Sequence, residues 1–275
     1  MDKLLLIGQT LLFSSYFTVV LYFVHIVANR RVKTIFNSAE EFSKNNISLG
    51  FRRSGLYLGL SIGLFGIVGQ NVYNSIMFLE TLMLFLFMYI GFLISNKIIL
   101  NKIENDQEIK NNNISIGIIE FAQFISIGII AFASFNGEDG SLYSSILYFT
   151  LGQIVLTVIY YVYSKTIDFN IKKSLYEGNK ASAILVGSIF IAYSIILKAA
   201  IEGPSNGLIN DLTAFGVSAI FGVIILLLLA NKIIDALFLP HTIIEDELKK
   251  DNYSSILVIG ILKISIAIGV SSVIF

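Results

Sequence analysis

The sequence predicts an all-α, polytopic membrane protein with eight transmembrane helices arranged as two parallel four-helix repeats. Three observations support this fold class: an apolar composition, long apolar runs, and a motif that recurs in each half. Of the 275 residues, 55% are hydrophobic and only 14% are charged, and the mean hydropathy is +0.79. A single soluble core of this size cannot bury so much apolar surface, so a lipid environment is expected.

The apolar runs have the length of membrane-spanning helices. About 20 apolar residues in a helix cross a hydrocarbon layer of about 30 Å. An outer-membrane barrel would instead show short strands of alternating polarity. Eight runs have the required length, at residues 4–28, 46–68, 75–99, 112–135, 141–165, 179–201, 212–237 and 252–275.

The distribution of Lys and Arg predicts the orientation of these spans. They concentrate in the connections that follow the odd-numbered spans, whereas the connections 69–74, 136–140 and 202–211 contain neither residue. By the positive-inside rule, the basic connections face the cytoplasm and both termini lie outside. The 19 basic and 19 acidic residues balance, so nothing indicates a nucleic-acid partner.

The repeat is marked by asparagines at the start of the even-numbered spans. Asn46 aligns with Asn179, and Asn113 aligns with Asn252. Each half then contains four spans, and an even number leaves both halves in the same orientation, unlike the inverted repeats of many transporters. The predicted repeats occupy residues 1–135 and 141–275.

The second half is similar to a known family. It carries Gly-Asn-x-Ala-x-Ala at Gly178–Ala183 and an acidic segment before an Asn-led final span at Glu245–Asn252. This pattern resembles domain-of-unknown-function family 350, the YjfL-type, UPF0719-like bacterial inner-membrane proteins. The first half departs further, with Ser48 and Gly50 in place of alanines. The resemblance implies two tandem copies, a bacterial inner membrane and often a genomic setting of membrane stress, but no established reaction.

Two interpretations of the four asparagines remain open. Asn at a helix start caps free backbone N–H groups and typically stabilises the helix by about 1 kcal/mol. Alternatively, the four side chains form a polar ring near the cytoplasmic face that binds an ion or a lipid headgroup.

Small residues share one face on two of the spans. They are Gly55, Gly59 and Gly63 on the second span, and Ala183 and Gly187 on the sixth. Such faces let helix backbones approach closely in lipid. The sequence leaves open whether the neighbour lies in the same chain or in a second copy, so a homo-oligomer is one hypothesis.

Charged residues inside the spans are costly unless they are paired or hydrated. With a rise of 1.5 Å per residue, their depths predict two ion pairs. One joins Arg52 or Arg53 to Glu120, and the other joins Lys198 to Glu80. For Lys198, extension of its ammonium group to the membrane interface is the favoured alternative.

Lys263 is the deepest charge and lies near the midplane, as do Gln123 and Gln153. It is expected to face the bundle interior, with Glu120 or the two glutamines as its partners. Either a structural ion pair or a polar conduit would explain it. The candidate pathway residues are Lys263, Glu120, Gln123, Gln153, Arg52 and Arg53.

Catalysis is not predicted. The chain has no cysteine and only two histidines, and it shows no zinc-binding His motif, no Gly-x-Ser-x-Gly elbow and no nucleotide-binding loop. His241 lies near the acidic run Glu245–Glu247, but a single histidine in such a run is usually solvated. No metal and no cofactor are therefore expected.

Two functions remain, each for a protein whose first partner is the lipid bilayer. The first is a pathway for an ion or small solute through a polar helix-bundle interior. The second is a non-catalytic scaffold or adaptor of an envelope-stress system, which recruits a cytoplasmic protein through its charged loops. The first is favoured because buried ionisable residues are costly to retain.

Overall fold

Eight long helices correspond to the eight predicted spans. The computed structural model describes residues 3–70, 75–100, 104–137, 141–203, 205–239 and 243–273. Seven of the spans are the single helices α1 (Lys3–Val32), α3 (Ile47–Gln70), α4 (Ser75–Ile99), α6 (Ile114–Asn136), α7 (Leu142–Thr166), α9 (Lys180–Glu202) and α13 (Tyr253–Ser271). The remaining span consists of α10 (Leu208–Val223), a π-helical segment (Ile224–Leu229) and α11 (Ala230–Leu237).

Within the described residues, seven of these helices are long and apolar enough to cross a membrane. The exception is α3, which has 24 residues and therefore a length of about 36 Å. Arg52 and Arg53 in its second turn lower its hydropathy. All eight helices thus have the length of a membrane span, and a helix satisfies its backbone hydrogen bonds internally, as lipid requires.

Four short helices lie directly before long helices of the bundle. They are α2 (Ser38–Ser43), α5 (Asn105–Lys110), α8 (Ile171–Tyr176) and α12 (Ile244–Lys249). They precede α3, α6, α9 and α13, respectively. We call the end of the bundle where they lie the capped end.

The core of the protein is a row formed by α3, α6, α9 and α13. The three most extensive helix–helix contacts among the described residues join α3 to α6, α6 to α9 and α9 to α13. Ile119 on α6 and Tyr193 on α9 are completely buried. All four helices begin at the capped end, so the row is parallel, and we call it the central row.

The other long helices pack against the central row and against one another. Helix α4 contacts α3 and α6, α7 contacts α6 and α9, and α10 contacts α9. Aromatic stacking joins them. The rings of Phe87 on α4 and Phe149 on α7 are 3.9 Å apart, and those of Phe92 on α4 and Phe124 on α6 are 4.6 Å apart.

Glycines let α3 and α6 touch through their backbones, which confirms the close packing predicted for this face. A Cβ added to Gly59 would lie 2.1 Å from the carbonyl oxygen of Phe124, and one added to Gly55 would lie 2.4 Å from the Cα of Phe121. These distances are too short for any side chain. The neighbour of this face therefore lies in the same chain.

The other predicted small residues also pack within the chain. Gly63 lies against the side chain of Leu84 on α4, and a Cβ added to Gly187 would lie 2.8 Å from the Cβ of Ala122 on α6. Ala183 is completely buried.

The structural repeat is half the length of the predicted one. An outer helix, a short helix and a central helix form one unit, and the chain contains four such units in sequence: α1–α3, α4–α6, α7–α9 and α10–α13. Each unit has two long helices, so successive units keep the same orientation. Two units make up each predicted four-helix repeat.

Candidate functional site

The same turn precedes every helix of the central row. One residue in the left-handed backbone conformation follows the short helix, with φ of 59° at Asn45, 57° at Asn112, 84° at Gly178 and 50° at Asp251. Gly, Asn and Asp adopt this conformation more readily than other residues. The turn ends the short helix and places the following asparagine at the start of the long helix.

Capping by all four asparagines is confirmed. Each side-chain oxygen accepts a hydrogen bond from a backbone N–H in the first turn. The distances are 2.9 Å from Leu49 to Asn46, 3.2 Å from Ser115 to Asn113, 2.7 Å from Ser182 to Asn179 and 3.4 Å from Ser255 to Asn252.

Three of these asparagines also bind the next unit of the chain. Their side-chain N–H groups donate to backbone carbonyls at the end of the following short helix. The bonds run from Asn46 to Ile109 (2.8 Å), from Asn113 to Tyr176 (3.1 Å) and from Asn179 to Leu248 (2.8 Å). The sequence predicted the caps because a cap involves residues that are close together in the chain. It did not predict these bonds, because they join residues that are far apart in the chain.

A buried ion pair lies about two helical turns further into the bundle. The Arg52 guanidinium on α3 donates from Nε and Nη2 to the two carboxylate oxygens of Glu120 on α6, the Nη2 bond being 2.8 Å. Their side chains are 4% and 0% exposed. This confirms the predicted pairing for Arg52, and the two-bond geometry is the strongest that Arg forms with a carboxylate.

Asp106 on α5 extends this pair into a cluster. Its Oδ1 accepts from Arg52 at 2.5 Å and from Arg31 on α1 at 2.7 Å. Asn105 donates to Glu120 at 3.0 Å. Asp106 lies outside the apolar runs, so sequence reasoning missed it; its position in the acidic turn before Asn113 was the available signal.

Arg53 takes a different direction from Arg52. Its Nη2 donates to Asn29 on α1 at 2.9 Å and to Ser38 on α2 at 3.2 Å. The prediction left open which arginine binds Glu120, and the structure assigns that role to Arg52. Arg53 instead ties the first outer helix to the central row.

Lys263 is completely buried and faces the bundle interior, as predicted. Its ammonium nitrogen makes no hydrogen bond within the described part of the chain. The nitrogen lies 5.6 Å from the centre of the Tyr163 ring on α7. The expected pairing with Glu120 or with the glutamines is wrong, because Glu120 is bound to Arg52 and Lys263 lies at the other end of the central row.

A cavity of about 660 Å³ lies beside Tyr163, between α7, the π-helical segment, α11, α12 and α13. Its wall includes Ile259, one turn before Lys263, and the polar residues Asn231, Asp235 and Glu245. The π-helical turns form part of this wall through Leu227 and Leu228. Such irregular turns often occur at functional sites.

Gln123 and Gln153 are both buried. Both polar atoms of Gln123 and the amide nitrogen of Gln153 have no hydrogen-bond partner within the described residues. A narrow cavity of about 10 Å³ borders Gln123 between α4, α6, α7 and α9. Unpaired buried amides are costly, and the cavity beside Gln123 is about the size of one water molecule.

Two further expectations concern the partner of Lys198 and the surroundings of His241. The predicted pair of Lys198 with Glu80 is wrong, because Lys198 donates to Glu202, one turn along its own helix. His241 lies outside the described residues. In the part of the chain that the structure describes, no three His, Cys, Asp or Glu residues are grouped to hold a metal.

These long apolar helices and their buried polar contacts define a multi-pass, α-helical integral membrane protein. The chain belongs to the family described as Domain of Unknown Function (DUF350), whose model matches residues 4–135 and again residues 139–274. The predicted resemblance, including its two tandem copies, is thereby confirmed.

A curated relative supports the same class. The chain is 26% identical over 256 residues to a protein of Aquifex aeolicus (strain VF5) named "UPF0719 transmembrane protein", and the match covers 90% of each chain. No solved structure matches the chain at a significant level.

Proposed function

We propose that the protein provides a pathway for an ion or small solute across the bacterial inner membrane, with Lys263 at the inner end of that pathway. The observation that supports this function is an ammonium group with 0% exposure and no acceptor within the described residues. Such a group is costly in a membrane interior unless water or a counter-ion reaches it.

We infer that a route to Lys263 passes through the cavity beside Tyr163. Tyr163 lines the cavity, and its ring centre lies 5.6 Å from the ammonium nitrogen of Lys263. The cavity wall also carries Asn231, the carboxylates of Asp235 and Glu245, and the ammonium group of Lys232. An ion or solute entering here would meet polar groups first and the ammonium last. Because Lys263 has no carboxylate partner within the described residues, its ammonium group would stabilise a small anion that reached it.

The orientation follows from the loops. The connections at the capped end carry nearly all of the Lys and Arg residues outside the spans. By the positive-inside rule that end faces the cytoplasm, and both termini lie outside. In this orientation the cavity opens toward the cytoplasm.

A flux measurement tests the proposal. The purified protein is placed in liposomes, and the fluxes of chloride, nitrate and potassium are measured for the wild type, Lys263→Leu and Lys198→Leu. The control removes a lysine that already has an ion-pair partner on its own helix. We expect anion flux in the wild type and in Lys198→Leu, with a strong loss in Lys263→Leu.

Two outcomes would contradict the proposal. One is the absence of any flux from folded wild-type protein, which would leave the adaptor function. The other is equal flux in Lys263→Leu, which would remove the residue on which the pathway depends.

A further inference from the structure

The central row is open at both ends, and the two ends match. Within the chain, a bond from the cap asparagine to a carbonyl of the next short helix joins unit one to two, two to three, and three to four. Among the described residues, no further unit packs against the outer face of the first unit or against that of the last unit. We call the open surface of the first unit the head (Phe42, Asn45 and Gly50) and that of the last unit the tail (Asn252 and Ser254).

The fifth residue of each short helix is buried in the later units but exposed at the head. In the later units this residue is Ile109, Leu175 or Leu248, and each is completely buried. Each of their carbonyls accepts a side-chain hydrogen bond from the preceding unit. The corresponding residue of the first unit is Phe42, which is 44% exposed.

The fourth residue after the cap asparagine shows the same contrast. In the second unit this residue is Gly117, and a Cβ added there would lie 2.6 Å from the carbonyl oxygen of Ser48 in the first unit. In the first unit it is Gly50, and a Cβ added there would meet nothing within 4 Å. Gly50 is thus a glycine at the position where Gly117 makes a close backbone contact, but among the described residues no neighbouring helix lies against it.

The second residue after the cap asparagine shows a similar contrast at the tail, in the hydrogen bond of its backbone N–H group. The backbone N–H of Ser48 donates to Asn112 at 3.0 Å, and that of Ala181 donates to Asp251 at 2.8 Å. Both acceptors are the left-handed residues of the following unit. In the last unit the corresponding donor is Ser254, which is exposed.

The head offers the matching acceptor. Asn45 is the left-handed residue of the first unit, with φ of 59°, and its side chain is exposed. The side chains of its counterparts Asn112 and Asp251 bind the preceding unit. Asn45 therefore has the backbone conformation and the side-chain amide that Asn112 uses to bind the preceding unit, but no such bond forms among the described residues.

The first outer helix is also incomplete. Helix α4 contacts two helices of the central row, and so does α7, whereas α1 has extensive contact only with α3. In the most apolar segment of α1, 6% of residues are buried, against 44% for α4. A central helix placed before α3 would supply the missing neighbour.

We propose that the tail of one copy of this protein docks on the head of a second copy, so that the central row continues from chain to chain. Ser254 would then bind Asn45, and the cap Asn252 would lie at the carbonyl of Phe42. Because the units are parallel, the added copy keeps its orientation in the membrane. The two surfaces differ, so the assembly is head-to-tail and forms a ring or an open row.

Cross-linking tests the contact directly, since the chain has no cysteine. The variant Phe42→Cys/Ser254→Cys is treated in native membranes with a short bifunctional maleimide. We expect covalent oligomers in the double variant and almost none in either single variant, because head and tail supply different partners. Oligomers formed equally by a single variant would indicate a two-fold interface and overturn the proposal, and so would a double variant that stays monomeric.

A second variant tests the same surface without cross-linking. Gly50→Leu fills space that is empty in the single chain, so the monomer should fold normally. A side chain inserted into a tight contact typically weakens it by about tenfold or more. Gly216→Leu on α10 is the matched control, because a Cβ there also meets nothing within 4 Å.

The readout is the mass of the protein in lipid nanodiscs. We expect an oligomer for the wild type and Gly216→Leu, and monomers for Gly50→Leu. A monomeric wild type, or an oligomer that Gly50→Leu leaves intact, would contradict the head-to-tail contact. The result is independent of the flux measurement, because neither glycine borders Lys263 or its cavity.

Discussion

Arg52 and Glu120 face each other across the contact between α3 and α6, and two hydrogen bonds join the guanidinium to the carboxylate. Both side chains are almost completely shielded. The charges lie about two helical turns inside the bundle, directly beside the Gly55 contact with Phe121. The ion pair therefore lies in the most closely packed interface of the protein, where each charge depends on the other for solvation.

We expect Glu120→Gln to destabilise the protein by about 3–5 kcal/mol, because it leaves Arg52 buried with only Asp106 as a charged partner. The measurement is the free energy of unfolding in detergent. Glu177→Gln is the control, since its pair with Lys173 is exposed and should contribute at most about 1 kcal/mol. Similar losses of unfolding free energy in the two variants would show that the buried Arg52 pair contributes no more to stability than an exposed pair.

Gly59→Ala should weaken the contact between α3 and α6. The new methyl group would lie 2.1 Å from the carbonyl oxygen of Phe124, so the two backbones must separate, at a cost of about 1–3 kcal/mol or more. Thermal unfolding would report the loss. Gly216→Ala has open space and should be neutral or slightly stabilising because of its helix propensity. Equal midpoints for both variants would argue against the backbone contact.

Asn113→Ala should cost more than removal of a cap alone. A lost cap costs about 1 kcal/mol, and Asn113 also donates to Tyr176 in the next unit, a bond with a net contribution of about 1 kcal/mol. Asn170→Ala is the control, because its side-chain oxygen caps a short helix at the exposed surface. If both variants lose the same free energy of unfolding, the bond between units contributes nothing.

Lys263→Met should raise the thermal midpoint while it removes flux. Methionine retains most of the side-chain volume, and it eliminates an unpaired buried ammonium whose contact with Tyr163 offsets only part of its desolvation cost. Lys198→Met loses an ion pair with Glu202 and should be neutral or slightly less stable. A large destabilisation by Lys263→Met would instead indicate that Lys263 has a structural partner.

Much of the architecture was predictable because helix formation and capping are local. The apolar runs gave the eight long helices, and the asparagines gave their starting points in the central row. Depth along the helix also predicted the Arg52 pair with Glu120. The same reasoning was wrong for Lys198, because depth alone cannot show that Glu202, one turn away on the same helix, is closer than any residue of a neighbouring helix.

The sequence by itself determined the membrane-spanning class, the positions of the spans, the caps and the family, since each depends on composition or on residues close together in the chain. Only the tertiary structure decided which helices touch, and so which charges pair and which remain alone. Lys263 near the end of the central row and Glu120 near its start illustrate the difference. Their depths allowed a pair, but the order in which the helices pack gave Glu120 to Arg52 and left Lys263 beside Tyr163.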